Sequence, residues 1–292
     1  MENKSSKILV GCGVVFGIVV VLVVLIGFGI YTYIKNASAK KDEIVQLNKF
    51  IEDKYGNVDE FIPPKNVVDS VKFVFFLDVR DSLIKYDDEI TSELQKISST
   101  VEKQKEDVSF WETLKVMKTA LDLIPNFMTY VKKRNELLIK RDLSLGEYLY
   151  YYVVSYYSFL KKDVADGPPI NILISGSKNN AVIAYNDEGN NKEPEKNKKD
   201  LMRKRKIDLS EKINLVFIKF FENAVANADS LSKVRNYFSG ELVKMKENVL
   251  RLPWQDGLPE TAESFIKRFE RILEKTYNPA INSLETELII NE

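Results

Sequence analysis

Apolar and polar residues follow three different patterns along the chain. Residues 8–34 carry no charge, apolar residues recur every three or four positions from Ile44 onward, and residues 187–206 hold almost no apolar residue. The first pattern is typical of a membrane-spanning helix, the second of amphipathic helices, and the third of a disordered insertion. The sequence therefore predicts an all-α protein, with an N-terminal transmembrane helix followed by a helical-bundle ectodomain.

The apolar run from Ile8 to Ile34 would form a helix of roughly 40 Å, enough to cross a hydrocarbon core of about 30 Å. It is longer than the apolar part of a signal peptide, so we expect an uncleaved signal-anchor despite the small residues Ala37-Ser38-Ala39 behind it. A short N-terminal tail before a long anchor usually stays in the cytoplasm. Together with the Lys-, Asn- and Ile-rich composition, this predicts a single-pass protein of the bacterial cell (inner) membrane, with an extracytoplasmic C-terminal domain.

Helix signals organise the rest of the chain. Asn66 is a candidate cap for a long helix, and Ser144-x-x-Glu147 is a capping box that opens a helix with six tyrosines. Two β-prone runs within 170–185 allow one small β-hairpin. The expected segments are a cytoplasmic tail (1–7), the transmembrane helix (8–34), a juxtamembrane helix with a Pro-Pro loop (35–66), the first part of the helical domain (67–166), a loop with the hairpin and the disordered insertion (167–208), the second part of the helical domain (209–278) and a C-terminal tail (279–292).

Composition removes several kinds of chemistry. The chain has no His and one Cys, Cys12, which lies in the apolar run. A Ser-His-Asp triad, a His-ligated metal and an internal disulfide are therefore excluded. The 43 basic residues equal the 43 acidic ones, which argues against a general nucleic-acid binder. We expect no cofactor, no metal-ligating residue and no catalytic residue.

Two acidic features have competing interpretations. Glu147 could act as a general acid in an apolar frame, or it could be the acid of the capping box, which we favour. Asp87-Asp88-Glu89 could hold a hard cation such as Ca²⁺. No loop of alternating ligands surrounds this cluster, so a solvated helix face is the preferred interpretation.

Three further features point either to packing or to binding. Arg80 lies among apolar residues and needs a carboxylate, either an Asp of its own turn or a Glu of a facing helix, or else a ligand. The tyrosines from Tyr148 to Tyr157 could line a pocket for sugars or aromatic ligands, or pack in the core. Trp254 could be an exposed anchor for a partner, or it could dock its turn onto the bundle.

Three segments resemble a recurring pattern in uncharacterised, membrane-anchored bacterial proteins. They are FIPP…FFLDVRDSL, RNELLIKRDLSLGEYLYYYVVSYYS and RLPWQDGLPE…LEKTYNPAINSLE, and the resemblance covers much of residues 51–284. It implies a bacterial source and one continuous domain, and it carries no activity or site.

The sequence favours a noncatalytic role, as an extracytoplasmic scaffold or partner-binding protein anchored in the lipid bilayer through residues 8–34. Its partner would be an envelope protein. A ligand-sensing or lipid-binding helical domain is the alternative, with the Tyr-rich helix as pocket wall. A carboxylate-based envelope hydrolase comes third.

Overall fold

The computed structural model describes residues 42–103, 110–167, 171–174, 181–184, 194–228 and 233–291. Most of these residues are helical, which confirms the all-α class. The predicted transmembrane helix, residues 8–34, lies outside the described residues. Within the described ranges, no helix is both long enough and apolar enough to cross a membrane.

The helices of the described ranges are α1 (residues 42–55), α2 (Ser70–Lys103), α3 (Phe110–Lys140), α4 (Leu145–Tyr152), α5 (Pro194–Ala226), α6 (Lys233–Glu247), α7 (Glu260–Lys267), α8 (Glu270–Thr276) and α9 (Pro279–Asn291). A 3-10 turn, Val58–Glu60, lies between α1 and α2, and a π-helical segment, Val153–Phe159, continues α4. The expected hairpin is present, since β1 (Asn171–Ile174) pairs antiparallel with β2 (Ala181–Ala184).

Helices α2 and α3 form an antiparallel pair. Arg141 Nη2 lies 2.6 Å from Asp78 Oδ2 near one end of this pair, and Asn126 Nδ2 donates to Glu93 Oε1 at 2.6 Å further along it. In these two contacts the residue number increases along α2 and decreases along α3, so the two helices run in opposite directions. Together the two helices form one wall of the core.

Helix α4 and its π-helical continuation form the centre of the domain. The predicted cap is confirmed, because Ser144 Oγ accepts a hydrogen bond from the backbone N–H of Glu147 at 2.9 Å. Every residue from Tyr148 to Ser158 is buried. A helix that is apolar or aromatic on all sides can only be stable where other elements surround it, and here it packs among the other helices.

Helix α2 begins later than the cap signal at Asn66 predicts. The N-terminal cap is Asp69, whose Oδ1 accepts hydrogen bonds from the N–H groups of Val71 and Lys72 at 2.9 and 3.0 Å. Val67 has a φ of 67°, outside the right-handed helical region, and its carbonyl accepts a hydrogen bond from Tyr150. The hydrogen bond from Tyr150 of α4 thus keeps the chain in a non-helical conformation up to Asp69.

The C-terminal segment 279–292, expected to be a tail, instead forms α9 over most of its length. Pro279 occupies the first turn, where a missing N–H is harmless, and Asn278 Oδ1 accepts from the N–H of Ala280 at 2.8 Å. Ile281 and Ile289 are buried, so α9 is part of the core. Pro279 therefore marks the start of a helix and not the start of a tail.

Part of the expected disordered insertion is helical instead. Residues 194–208 belong to the first half of α5, and residues 187–193 lie outside the described part of the chain. Arg205 is buried, and Lys206 Nζ lies 2.6 Å from Asp163 Oδ2. Contacts with the segment after α4 therefore order a stretch whose composition alone indicates disorder.

Candidate functional site

Arg80 lies at the centre of the domain and is fully buried. Its guanidinium donates five hydrogen bonds, to the hydroxyls of Tyr130 (2.8 Å), Tyr148 (3.2 Å) and Tyr156 (3.3 Å), to Asp87 Oδ2 (3.2 Å) and to the carbonyl of Thr276 (2.8 Å). Every N–H of a guanidinium is thereby used. The arginine joins α2, α3, α4 with its continuation, and α8.

The spacing of the residues on each helix explains this convergence. Asp87 follows Arg80 by seven positions, which places both on one face of α2. Tyr148, Tyr152 and Tyr156 follow one another at intervals of four, so they form one stripe facing α2. The guanidinium carbon of Arg80 lies 5.4 and 5.8 Å from the ring centroids of Tyr152 and Tyr156. The carboxylate partner of Arg80 is therefore Asp87, two turns along the same helix, and not an Asp of its own turn or a Glu of a facing helix as we expected.

A second buried ion pair joins α3 to α9. Arg134 Nη1 lies 3.6 Å from Glu285 Oε1, and both side chains are fully buried. The negative charge of Glu285 also contributes to raising the pKa of Asp87. The two ion pairs thus belong to one electrostatic network. Ile281 lies four positions before Glu285, so the two residues share a face of α9. This spacing could have indicated from the sequence that Glu285 is buried and needs a basic partner.

Burial dominates the electrostatics of the cluster. It raises the pKa of Asp87 to about 7, against the opposing attraction of Arg80. Burial also raises the pKa values of Tyr130 and Tyr148 well above the usual range for phenols. The tyrosines therefore stay protonated and can also donate hydrogen bonds. For example, the hydroxyls of Tyr156 and Thr276 are hydrogen-bonded to each other at 2.8 Å.

A cleft of about 750 Å³ opens next to this cluster. One wall is α2 from Ile84 to Gln95, and the other is the connection between α8 and α9, residues 275–280. Its polar lining includes Asp87, Asp88, Thr91 and Asn278, and its apolar lining includes Ile84, Leu94, Pro279 and Ala280. The cleft therefore combines a few polar groups with an apolar wall, as small-molecule sites do.

Asp87 connects the cleft to the arginine cluster. Its side chain is only 3% exposed, and it lines the cleft while Oδ2 accepts from Arg80. Its other oxygen, Oδ1, is buried and has no hydrogen-bond partner. An unpaired buried acceptor costs about 1–3 kcal/mol, so this oxygen lowers the stability of the arginine cluster.

The acidic cluster 87–89 is not the uniformly solvated face that we expected. Asp88 and Glu89 are exposed, but Asp87 is buried because it shares the face of Arg80. In the described residues, no group of three or more acidic or thiol side chains is close enough to hold a metal ion.

The other candidates are explained by packing and capping. Burial raises the pKa of Glu147 to about 7, against the attraction of Lys72 and a hydrogen bond from the backbone N–H of Ser144, the residue that caps α4. None of the tyrosines from Tyr148 to Tyr157 lines the cleft described above, and all are in the core.

Trp254 is docked onto the bundle. It is 3% exposed, its backbone N–H donates to Glu241 Oε1 at 2.8 Å, and the centroid of its ring lies 4.8 Å from that of Phe221. This contact fixes the turn between α6 and α7 and leaves the indole buried.

No family model, curated protein or solved structure matches this chain.

Proposed function

We propose that the chain is a single-pass membrane protein of the bacterial cell envelope, whose helical domain is a noncatalytic, partner-binding scaffold outside the cytoplasm. The observation that carries this proposal is the attachment of α1, the helix that follows the predicted anchor. It is fixed to the domain along its whole length. A scaffold needs such a connection, because its partner must be held in a constant orientation relative to the membrane.

Three kinds of contact hold α1 to the remainder of the domain. They are the ion pairs Glu43–Lys132 and Lys54–Asp142 (2.8 Å), the hydrogen bond from Asn135 to Asn48, and the insertion of Ile51, 1% exposed, into the core. Most of these partners lie on α3. Because the contacts occur at the beginning, middle and end of α1, the helix cannot pivot independently of the domain.

The predicted anchor ends close to α1. Residues 35–41 separate Ile34 from the start of α1, and a fully extended stretch of that length spans at most about 25 Å. With α1 fixed to α3, the domain would remain near the bilayer surface. Val45 and Phe50 on α1 are 55% and 50% exposed, so apolar side chains on this helix are available to a partner.

Photocrosslinking in intact cells tests the scaffold function. A photoreactive amino acid is placed at Val45 or Phe50 in the full-length chain, with the buried position Ile51 as matched control. We expect one discrete adduct from the exposed positions and none from Ile51. Recovery of only the free monomer from both exposed positions would contradict a partner-binding role.

Thiol labelling tests the membrane topology. Lys204, exposed on α5, is replaced by Cys, and intact cells are treated with a membrane-impermeant maleimide. We expect Lys204→Cys to be labelled in intact cells and Glu2→Cys only after lysis. The opposite pattern would reverse the proposed orientation, and labelling of both only after lysis would place the whole chain inside the cell.

The cleft beside Asp87 favours a second candidate, a ligand-sensing domain. The volume of the cleft, about 750 Å³, lies within the range of small-molecule sites. In this candidate the ligand would contact α2 and the α8–α9 connection, and the Tyr-rich helix would support the site from the core.

A further inference from the structure

We propose that the surface where α2 lies beside α7 and α8 docks a partner protein through an amphipathic helix whose apolar stripe is flanked by carboxylates. This inference deepens the scaffold function, since it names the chemistry of the partner, and it rests on that proposed function. We call this surface the valine–arginine groove, and it comprises Val71, Val74, Arg268, Arg271 and Ile272.

Helix α2 and the segment formed by α7 and α8 run side by side in the same direction. The ring centroid of Phe73 lies 5.6 and 5.7 Å from those of Phe265 and Phe269. Further along, Lys275 Nζ lies 2.9 Å from Asp81 Oδ1. Residue numbers rise along both segments from the first contact to the second, so one continuous seam joins them. Adjacent helices, with axes about 8–10 Å apart, leave a shallow groove on their solvent side.

The apolar side chains beside this seam are exposed to solvent. Val74 precedes Asp81 by seven positions and Ile272 precedes Lys275 by three, so each lies on the face of its helix that meets the other helix. Val71, one turn before Val74, extends the same side of α2. The exposed fractions are 58% for Val71, 45% for Val74 and 41% for Ile272. Contiguous exposed apolar residues indicate an interaction surface, whereas scattered single ones are ordinary.

Arg268 holds a positive charge at the same groove. Its guanidinium carbon lies 4.5 Å from the ring centroid of Phe265, and its Nε donates to the carbonyl of Phe265 at 3.4 Å. Because Phe265 also contacts Phe73, the stacked arginine lies next to α2. Arginine is among the residues that contribute most to binding at protein–protein interfaces.

Two basic residues of the groove are not neutralised. Arg271 precedes Lys275 by four positions, so it shares the face of α8 that meets α2. Lys275 is paired with Asp81, whereas no carboxylate of the described ranges forms an ion pair with Arg268 or Arg271. The two guanidinium groups are therefore available to carboxylates of a partner.

The acidic residues nearby do not offset this charge. Glu270 and Glu274 are each two positions from Ile272, and residues at that spacing do not share a face of a helix. On α2, Asp78 and Asp81 are both in ion pairs within the domain. A partner with carboxylates beside its apolar residues is therefore favoured over a basic or a neutral one.

The groove suits a helix better than an extended strand. A strand binds by pairing its backbone with the free edge of a sheet, and the backbone groups of α2 and α8 are used within their own helices. A helix instead inserts an apolar stripe, with residues at intervals of three and four, into a groove of this kind. Its flanking positions would place carboxylates opposite Arg268 and Arg271.

The position of the groove favours a protein over the lipid surface. Glu43, near the start of α1 and the predicted anchor, is paired with α3, whereas Lys54, near the end of α1, is paired with Asp142 at 2.8 Å. Lys72, next to Val71, is also paired with Asp142, at 3.4 Å. The valines therefore lie at the level of the end of α1, about 16 Å along this helix from Glu43. The groove is thus displaced from the side of the domain where the predicted anchor joins.

Photocrosslinking with peptide mapping in intact cells tests the groove. A diazirine amino acid is placed at Val74 of the full-length chain, and the matched control position is Glu274, which is exposed on the other side of α8. We expect one discrete protein adduct from Val74 and none from Glu274. Mass spectrometry should place the crosslink in a partner segment that has apolar residues at intervals of three and four and Asp or Glu beside them.

Charge reversal shows whether the arginines make the contact. Arg268→Glu and Arg271→Glu, each combined with the crosslinker at Val74, should lower the adduct yield at least about tenfold, because each sets a like charge against the carboxylates of the partner. Lys204→Glu, which reverses an exposed charge on α5, is the matched control and should leave the yield unchanged. Arg271 is exposed, so Arg271→Glu keeps the test decisive even if Arg268→Glu unfolds.

The outcomes separate the groove from the scaffold function. Adducts from Val45 or Phe50 without one from Val74 would overturn the groove and retain a partner-binding scaffold. A Val74 adduct with lipid, with a second copy of the chain or with a basic segment would overturn the acidic helix as the occupant, and so would a yield that Arg271→Glu leaves unchanged. Failure of all three exposed positions to form an adduct would overturn both.

Discussion

Arg80 Nη2 donates to the backbone carbonyl of Thr276 at 2.8 Å, and this bond joins the first third of α2 to the last residue of α8. The final carbonyls of a helix have no partner within the helix, and a cation at this end also interacts favourably with the helix dipole. A single side chain thereby closes α8 and orients the connection that forms one wall of the cleft.

Replacement of Arg80 by Lys should destabilise the domain strongly. An ammonium cannot reach three tyrosines, Asp87 and a carbonyl at once, and weakening a buried ion pair in this way costs about 3–5 kcal/mol. Equilibrium unfolding in urea measures the loss. Arg141→Lys is the control, because its pair with Asp78 is partly exposed and should contribute less than about 1 kcal/mol. Equal losses for the two variants would contradict a central role for Arg80.

Two glycines in helices should respond to alanine in opposite directions. A Cβ on Gly146 would lie 2.6 Å from the carbonyl oxygen of Val58 and 2.7 Å from Cβ of Phe61, whereas one on Gly240 would meet nothing within 4 Å. Gly146→Ala should therefore destabilise the domain by about 1–3 kcal/mol through overpacking. Gly240→Ala should stabilise it by up to about 1 kcal/mol, because glycine is unfavourable within a helix. Thermal unfolding followed by circular dichroism distinguishes them, and a stable Gly146→Ala variant would show that the turn at Val58 is not packed against α4.

Alanine substitutions at the adjacent residues Phe50 and Ile51 of α1 should differ in their effect on the free energy of unfolding, measured by the same thermal unfolding experiment. Ile51 is 1% exposed and Phe50 is 50% exposed. We expect Ile51→Ala to cost about 2–5 kcal/mol, because it leaves a cavity beneath α1, and Phe50→Ala to cost much less. Hydrogen exchange of α1 amides provides a local readout. If Ile51→Ala left both stability and α1 protection unchanged, the fixed attachment of this helix would be disproved, and the scaffold proposal with it.

Glu147→Gln should change how stability depends on pH. Burial raises the pKa of Glu147 to about 7, with Lys72 opposing it, so the folded state keeps this proton over a range where the unfolded chain has released it. The contribution of Glu147 is then fully present below its unfolded pKa, about 4.3, and is lost as the pH rises to 7. A glutamine cannot titrate, so the variant does not lose this stability. Between about pH 4.5 and 7.5, its free energy of unfolding should rise by roughly 2–3 kcal/mol relative to that of the wild type.

Urea unfolding of the wild type and Glu147→Gln across this range measures the difference. Glu263→Gln, on the exposed side of α7, controls for the removal of one carboxylate. A difference between the wild type and Glu147→Gln that stays constant with pH would show that Glu147 titrates alike in the folded and unfolded states.

The sequence predicted the helical class and several local elements. Ser144 and Glu147 identified the start of α4, because a cap depends on residues three positions apart. The β-prone runs identified the hairpin for a similar reason, since its strands are close in sequence. The helical domain was predicted to end at residue 278, although Pro279 starts α9, because proline occurs at both the ends and the starts of helices.

The candidate site depended much more on tertiary structure. Apolar surroundings indicated that Arg80 needs a partner, and the seven-residue spacing to Asp87 was available in the sequence. Periodicity shows which residues share a face of one helix, but it does not show which other helix covers that face. The contact of Arg80 with Thr276, 196 positions away, the Arg134–Glu285 pair and the cleft at Asp87 exist only because α2, α3, α4, α8 and α9 pack together.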